Sequence, residues 1–255
     1  MRLPHPSKPF SRRMFLHAVG GTAAALSLGA RNWFGGPALA RPAGQAKRRP
    51  VVRAAFVYPP TEELRKVGYY SWPGSTFDAE GRQLQYMSKL GDLEGKLGMR
   101  IPVEPDPIKD GEATTRFIRQ IQTEPPDALF LVPFKKGHWP HLTRIVEETK
   151  LPTIVLAPLG VLLVGMIREL HRRPGVHMIN SLDDFGAVEN GMRMVRTACW
   201  MKQSRVLNIA RSAGASQTVP HLGTTVETVA NTGFIEEFRR TASTDEVKAL
   251  AHRYR

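Results

Sequence analysis

The sequence predicts an α/β protein: a three-layer, doubly wound, mainly parallel sheet of the flavodoxin or Rossmann type, followed by the start of a second α/β domain. Three observations lead there. Between residues 51 and 210, short apolar runs of strand length alternate with apolar stripes at three- and four-residue steps. Two of the runs, Asp127–Val132 and Thr153–Ala157, read as continuous apolar strands, the pattern of parallel strands covered on both faces. The links are short and carry Gly and Pro. Residues 51–210 are expected to give about five or six strands with right-handed crossovers, the two apolar runs adjacent and central.

The elements follow in order. Val51–Tyr58 is a β-rich run closed by Pro59-Pro60, and a long polar, glycine-containing loop is expected to about Asp78. From Glu80 to Leu97 the residues Leu84, Met87, Leu90, Leu93 and Leu97 make a helix stripe, with Gly98 at the stop position. Ile101-Pro102-Val103 reads as a weak strand, placed at an edge by its proline. Asp110–Gln122 is helical with Phe117, Ile118 and Ile121 on one face, and Pro125-Pro126 breaks it. His141–Thr149 is a helix with Leu142, Ile145 and Val146 facing in. Leu159–Arg173 is expected as a mostly buried helix and Val176–Asn180 as the next strand. Asp183 or Asp184 caps a helix running to about Lys202, because a carboxylate there accepts orphan backbone N–H groups.

Arg205–Ala210 is a further strand, and beyond it the pattern changes. A polar loop, Arg211–Val219, precedes a strand over Thr224–Val229 and helices over Gly233–Arg240 and Thr244–Tyr254. Asp245-Glu246 in the first turn of the last helix suit its dipole. This tail reads as the opening of a second domain that is cut off.

The chain has 255 residues, 42% apolar and 23% charged, which supports a globular core and argues against wholesale disorder. A single cysteine, Cys199, excludes an internal disulfide and a cysteine-based zinc cluster; near Trp200 on an apolar helix face, it reads as a core residue. No run of 18 uninterrupted apolar residues exists, which excludes a multi-span membrane protein. The net charge of +13 suggests a nucleic-acid partner until it is located. Nine of the 36 cations lie in residues 1–50 with no acid, leaving 27 against 23 acids in residues 51–255, a net of +4. The body is only mildly basic, and no nucleic-acid partner is expected.

The charged start reads as an export signal. Ser11-Arg12-Arg13-Met14-Phe15-Leu16 fits the twin-arginine pattern, an apolar Gly/Ala-rich run follows from Phe15 to Ala30, and Ala38-Leu39-Ala40 is a small-x-small cleavage site. The bland alternative is an amphipathic helix with a chance arginine pair. The domain plan is then a signal peptide over 1–40, a basic tether over 41–50, an α/β domain over 51–215 and an incomplete second domain over 216–255. The implied partner is the twin-arginine translocase, through Arg12 and Arg13, and the destination is the periplasm or the exterior.

In an open parallel sheet, ligands gather outside the carboxyl ends of the strands. The loop after the Leu129–Val132 strand stands out there, with Lys135, Lys136, His138 and Trp139 close together. The cations and imidazole donate to sugar hydroxyls or anionic groups, and an indole offers a flat face to a sugar ring. The competing reading is a solvated loop whose Trp139 docks on the core. Other patterns are missing: there is no G-x-S-x-G elbow, no P-loop and no G-x-G-x-x-G after the first strand. His138 and His141 lack an H-E-x-x-H context, so no metal site is assigned to them. Asp183-Asp184 is better read as a cap than as an acid pair.

Asp127–Pro133, Leu151–Ala157 and the Asn180–Gly186 turn, in that strand order and with the later Leu222-Gly223-Thr224-Thr225 segment, resemble the N-terminal part of the L-fucose isomerase and L-arabinose isomerase superfamily. The likeness runs diffusely over about residues 51–250 and has no single diagnostic motif. It implies carbohydrate metabolism: members interconvert aldoses and ketoses with a divalent metal, usually manganese. Their metal ligands, acidic residues and a histidine, lie beyond the N-terminal domain, so none is carried over to a residue here. Packing as a homo-oligomer is also implied. The export leader, the missing C-terminal half and the lack of an acid pair for proton transfer depart from the family. The resemblance therefore implies a chain inactive as an isomerase by itself. A non-catalytic periplasmic sugar-binding protein of the ribose-binding type, with the same kind of α/β domain, is the other reading.

The export reading is tested by changing Arg12 and Arg13 to Lys together. Mature protein should leave the periplasmic fraction and precursor should accumulate; unchanged export removes the leader argument. N-terminal sequencing should place the mature start near Arg41.

Overall fold

The computed structural model describes residues 47–67, 78–158 and 164–254. Arg12, Arg13 and the rest of the proposed export signal lie outside them, as do residues 41–46 of the tether. Among the described residues no helix is long and apolar enough to cross a membrane.

Four strands form one sheet: β1 (Val52–Val57), β2 (Ala128–Pro133), β3 (Thr153–Ala157) and β4 (Val176–Asn180). They lie in that order, each pair parallel, with Val52 opposite Ala128 and Thr153 opposite Val176. β2 and β3 are adjacent, central and buried at every position, as their unbroken apolar composition requires. Successive side chains point to opposite faces. Phe56, Phe130, Val132 and Leu156 join a core with α2 (Ala79–Leu97) and α6 (Phe185–Lys202). Val57, Leu129, Leu131 and Val155 join a second core with α3 (Gly111–Thr123), α4 (Trp139–Thr149) and α5 (Val164–His171). The expected α/β architecture is present as a parallel four-stranded sheet flanked by helices on both faces.

Local chemistry sets the helix ends. Asp78, Asp110 and Asp184 each accept a hydrogen bond from the backbone N–H three residues on, at 2.8, 2.8 and 3.0 Å, capping α2, α3 and α6. Gly98 closes α2 in the left-handed conformation at φ 60°. Gly191 lets α6 approach the sheet: a Cβ there would stand 3.2 Å from both Ile154 and His177.

Five expectations need correction. The sheet has four strands rather than five or six, because β5 (Arg205–Ala210) pairs with β7 (Thr225–Ala230) in a second sheet. Alternation of elements fixes their sequence, not their pairing. The stretch Ile101–Val103 is not a strand; it runs beside the outer edge of β1 through isolated parallel bridges, Val51 to Arg100 and Ala54 to Val103. The loop expected before Asp78 begins as a helix, α1 (Thr61–Val67), anchored by buried Thr61 and Leu64. The inward face of α2 is Gln83, Tyr86, Leu90, Leu93 and Leu97, while Leu84 is 66% exposed. Of the helix expected over Leu159–Arg173, residues 159–163 lie outside the description, and among the described side chains of α5 only Leu170 is buried, so that part is not mostly buried.

The second sheet runs β5-β7-β6, with β6 (Gln217–Thr218) antiparallel to β7. Its strands are half-buried or exposed throughout, and α7 (Thr232–Arg240) and α8 (Asp245–Arg253) bury no residue.

The start of the described chain is tied to the sheet by Asp127, just ahead of β2. Its Oδ2 accepts from the Val51 N–H at 2.8 Å, and its Oδ1 accepts from Arg48 at 2.5 Å and from the Cys199 thiol at 3.3 Å. Burial alone would raise this carboxyl, but those three donors together hold it below the ordinary carboxylate range. Burial and the neighbouring carboxylate push the Cys199 thiol up, so Cys199 is an inert core thiol. A depressed folded-state pKa stabilises above the unfolded value and is lost as pH falls through the folded one. Asp127→Asn should therefore destabilise by about 1–3 kcal/mol at pH 7, and its deficit against wild type should narrow on acidification below the ordinary carboxylate range. Urea unfolding at several pH values measures it; a deficit that does not change with pH contradicts the ionised clamp.

Candidate functional site

The carboxyl ends of β1, β2 and β4 open at one edge of the sheet. At the end of β1, Tyr58 is buried and its hydroxyl donates to Gln83 Oε1 at 2.8 Å, while Gln83 Nε2 donates to the Pro105 carbonyl at 3.2 Å. Burial, with the Glu80 and Asp78 carboxylates nearby, pushes the Tyr58 phenol up, so it is a fixed donor. Thr61, opening α1, donates its N–H to Glu80 at 3.2 Å, and its buried Oγ1 has no hydrogen-bond partner.

At the end of β2, Phe134 sits in an aromatic cluster with ring centroids 5.6, 5.4 and 5.8 Å from Phe56, Tyr58 and Tyr86. The chain then makes a 3-10 turn over Lys136–His138. Lys135 is half-buried and Lys136 exposed. His138 Nε2 lies 2.8 Å from the Lys109 carbonyl, a contact only an N–H donor satisfies, so Nδ1 is the ring's acceptor. That Nδ1 is buried and unpartnered. Burial is the main cause holding His138 below the ordinary histidine range, with His141 and Lys135 adding to it against the Lys109 bond and Glu63. A neutral imidazole with a lone pair facing no donor is the result.

Trp139 does not join this set. Its ring is 2% exposed and packs in the core under α4, so no indole face is offered to a ligand. Helix geometry turns it inward with Leu142, three residues on. The expected four-residue cluster thus reduces to Lys135, Lys136 and His138. His141 stands with its ring centroid 5.5 Å from that of His138, and its Nδ1 is 3.0 Å from Thr114 Oγ1. Among the described residues no three His, Cys, Asp or Glu side chains converge as a metal requires.

The turn after β4 separates the two adjacent acids. Asp184 is the cap of α6, as the sequence suggests. Asp183 adopts a left-handed backbone, φ 61°, uncommon outside glycine, and clamps α2: its Oδ1 accepts from the Tyr86 hydroxyl and its Oδ2 from Arg82 at 2.9 Å. Burial first, then the bond to Asp183 and its charge, push the Tyr86 phenol up, with Arg82 opposing. The ring of Tyr86 meets Phe185 edge-on at 4.8 Å, under the Lys89 ammonium 4.6 Å from the Phe185 centroid. This Arg82–Tyr86–Asp183 clamp is invisible while Leu84 is taken as part of the inward stripe; Met87, also in that stripe, does pack against the core. The spacing of residues 83, 86, 90, 93 and 97, alternately three and four, is the signal that reveals it.

Comparison with family models, with curated proteins and with solved structures gives no significant match.

Asp183→Ala should destabilise by about 1–3 kcal/mol, because it frees two donors and places Ala in a left-handed conformation. Asp183→Asn should cost markedly less, since Asn tolerates that conformation and still accepts a hydrogen bond. Urea midpoints for the two variants decide; equal losses would contradict the combined role of conformation and acceptor.

Proposed function

We propose that the chain is an exported carbohydrate-binding protein, built like the N-terminal part of the ketol isomerases and not catalytic by itself, which seats a small sugar at the carboxyl ends of β1 and β2. The observation that carries this reading is the set of three buried, unpartnered polar atoms in the segments that follow those two strands, Thr61 Oγ1, His138 Nδ1 and Trp139 Nε1. Buried polar groups are satisfied as a rule, so such atoms at a strand end call for a ligand or water. The topology supports the same place. Counting the segment at residues 100–104 as a neighbour of β1, the order in space becomes second, first, third, fourth, fifth, that of a doubly wound flavodoxin-like domain. In that order the ligand crevice lies where the winding reverses, between β1 and β2. Lys135 and Lys136 supply ammonium donors, and neutral His138 supplies an acceptor, which is the mix that sugar hydroxyls pair with.

Catalysis is not assigned. Moving a proton between neighbouring carbons needs a base in reach of the substrate and a group that polarises its carbonyl. Asp184 is engaged as a helix cap and Asp183 as a clamp. The described residues do not fit the manganese that the resemblance implies for the full-length family, so no step is derived through a metal. A periplasmic sugar-binding protein with no catalytic relative is the second reading, favoured by the same engagement of both acids in structural bonds.

The test is calorimetric titration of the purified chain with a panel of aldoses and ketoses, beside a turnover assay with manganese. Weak binding of a sugar that falls about tenfold or more in Lys135→Ala and His138→Ala is expected, with no turnover. Metal-dependent isomerisation overturns the non-catalytic reading, and binding indifferent to both substitutions removes the seat. Trp139→Ala should act differently, lowering stability by about 3–5 kcal/mol as a core truncation does.

A further inference from the structure

We infer that a groove at the amino-terminal edge of the four-stranded sheet, the edge opposite Lys135 and His138, binds acidic glycan chains: sugars bearing carboxylate or sulfate groups. The groove encloses about 1260 Å³ and is lined by six arginines, Arg48, Arg49, Arg53, Arg100, Arg116 and Arg119. They come from four separate stretches: the tether's end, β1, the link after α2, and α3. Asp127 engages Arg48 and Glu104 engages Arg53. Arg116 stands 3.9 Å from Glu112, a loose and exposed pair. Among the described residues, Arg49, Arg100 and Arg119 meet no carboxylate at ion-pair distance. Arg116 and Arg119, three residues apart, share one face of α3. Converging guanidinium groups repel one another until an anion stands between them. Their planar forks match carboxylate and sulfate oxygens two at a time.

The rest of the lining selects the kind of anion. Thr115, Gln120 and Thr123 offer hydroxyl and amide groups, and Glu112 and Glu124 sit among the arginines. Glutamates oppose a phosphodiester backbone but accept hydrogen bonds from sugar hydroxyls. An acidic glycan presents both anionic groups for the arginines and hydroxyls for the glutamates. The described lining holds no aromatic ring on which a nucleic-acid base could stack. The inference is independent of the seat at the carboxyl edge, since no residue is shared between them.

The experiment titrates the purified chain with heparin-derived and polygalacturonate oligosaccharides, with single-stranded and duplex DNA of matched charge alongside, at low and high salt. Binding of at least one of the glycans is expected, weakening as salt rises. Arg116→Gln/Arg119→Gln should bind it about tenfold more weakly with an unchanged melting temperature, whereas Arg239→Gln/Arg240→Gln on α7 should bind as wild type. Arg100→Gln gives an independent reading should the double variant fold poorly, and should weaken binding several-fold. No glycan binding at low salt, unchanged affinity in the folded groove variants, or tighter binding of DNA than of both glycans overturns the proposal.

Discussion

Burying β2 and β3 on both faces constrains everything else in the four-stranded sheet. A strand in that position can satisfy its backbone N–H and C=O groups only through neighbouring strands, so β1 and β4 must flank the pair. Both faces then need apolar cover. α2 and α6 supply it on one side and α3, α4 and α5 on the other, with odd and even strand residues dealt to the two cores. A parallel strand cannot return directly to its neighbour, so α2 to α5 double as parts of the crossovers, while α6 leads on to β5 of the second sheet. Side chains along the strands are committed to packing, and polar chemistry is pushed to the two ends of the sheet.

How far the sequence reveals this depends on whether composition and burial coincide. They coincide in β2, β3, α3 and α4, whose apolar residues are the buried ones, and those elements are legible almost to the residue. They part in α2. Its buried face includes Gln83 and Tyr86, whose polar groups are satisfied at the carboxyl edge by Tyr58, Pro105 and Asp183, while Leu84 points to solvent. A reading that sorts residues by hydropathy alone picks the wrong stripe. α1 is hidden because Thr61 and Leu64 are its clearest buried anchors and the rest of Thr61–Val67 is charged or exposed at most of its positions. The loop after β2 is legible as a place, from the rule that ligands gather at strand ends, but not as a set of side chains. Only the fold decides that Trp139 turns into the core while His138 stays at its margin.

The second sheet obeys a different balance. Parallel strands are ordinarily buried on both faces, yet in β5 the residues Val206, Leu207 and Ile209 are about half exposed, and α7 and α8 leave Phe238 and Tyr254 in solvent. Backbone pairing and a few local bonds hold it to α6: Thr224 Oγ1 donates to the Met201 carbonyl at 2.9 Å, and the Thr225 N–H to that of Ser204 at 3.2 Å. With so little apolar surface removed from water, this region sits at the low end of the local stability range, and the four-stranded sheet at the high end.

Helix direction sorts charge between the two ends of the four-stranded sheet. Each crossover helix runs against the strands, so its amino terminus lies at the carboxyl edge of the sheet and its carboxyl terminus at the amino edge. The first of these ends carries partial positive charge from unsatisfied N–H groups and the second partial negative charge from carbonyls. At the carboxyl edge the starts of α2, α3 and α6 are capped by Asp78, Asp110 and Asp184, whereas α4, which begins beside His138, has no side-chain cap and no acid in its first turn. At the amino edge the last residues of α3, Gln120, Ile121 and Thr123, line the arginine groove with the helix's carbonyl groups at their end. Their partial negative charge offsets part of the mutual repulsion of six guanidinium groups, which is how such a cluster persists without a carboxylate for each member. The offset is partial, because a helix end is worth about half an elementary charge, and the remaining positive field is what an anion entering the groove would neutralise.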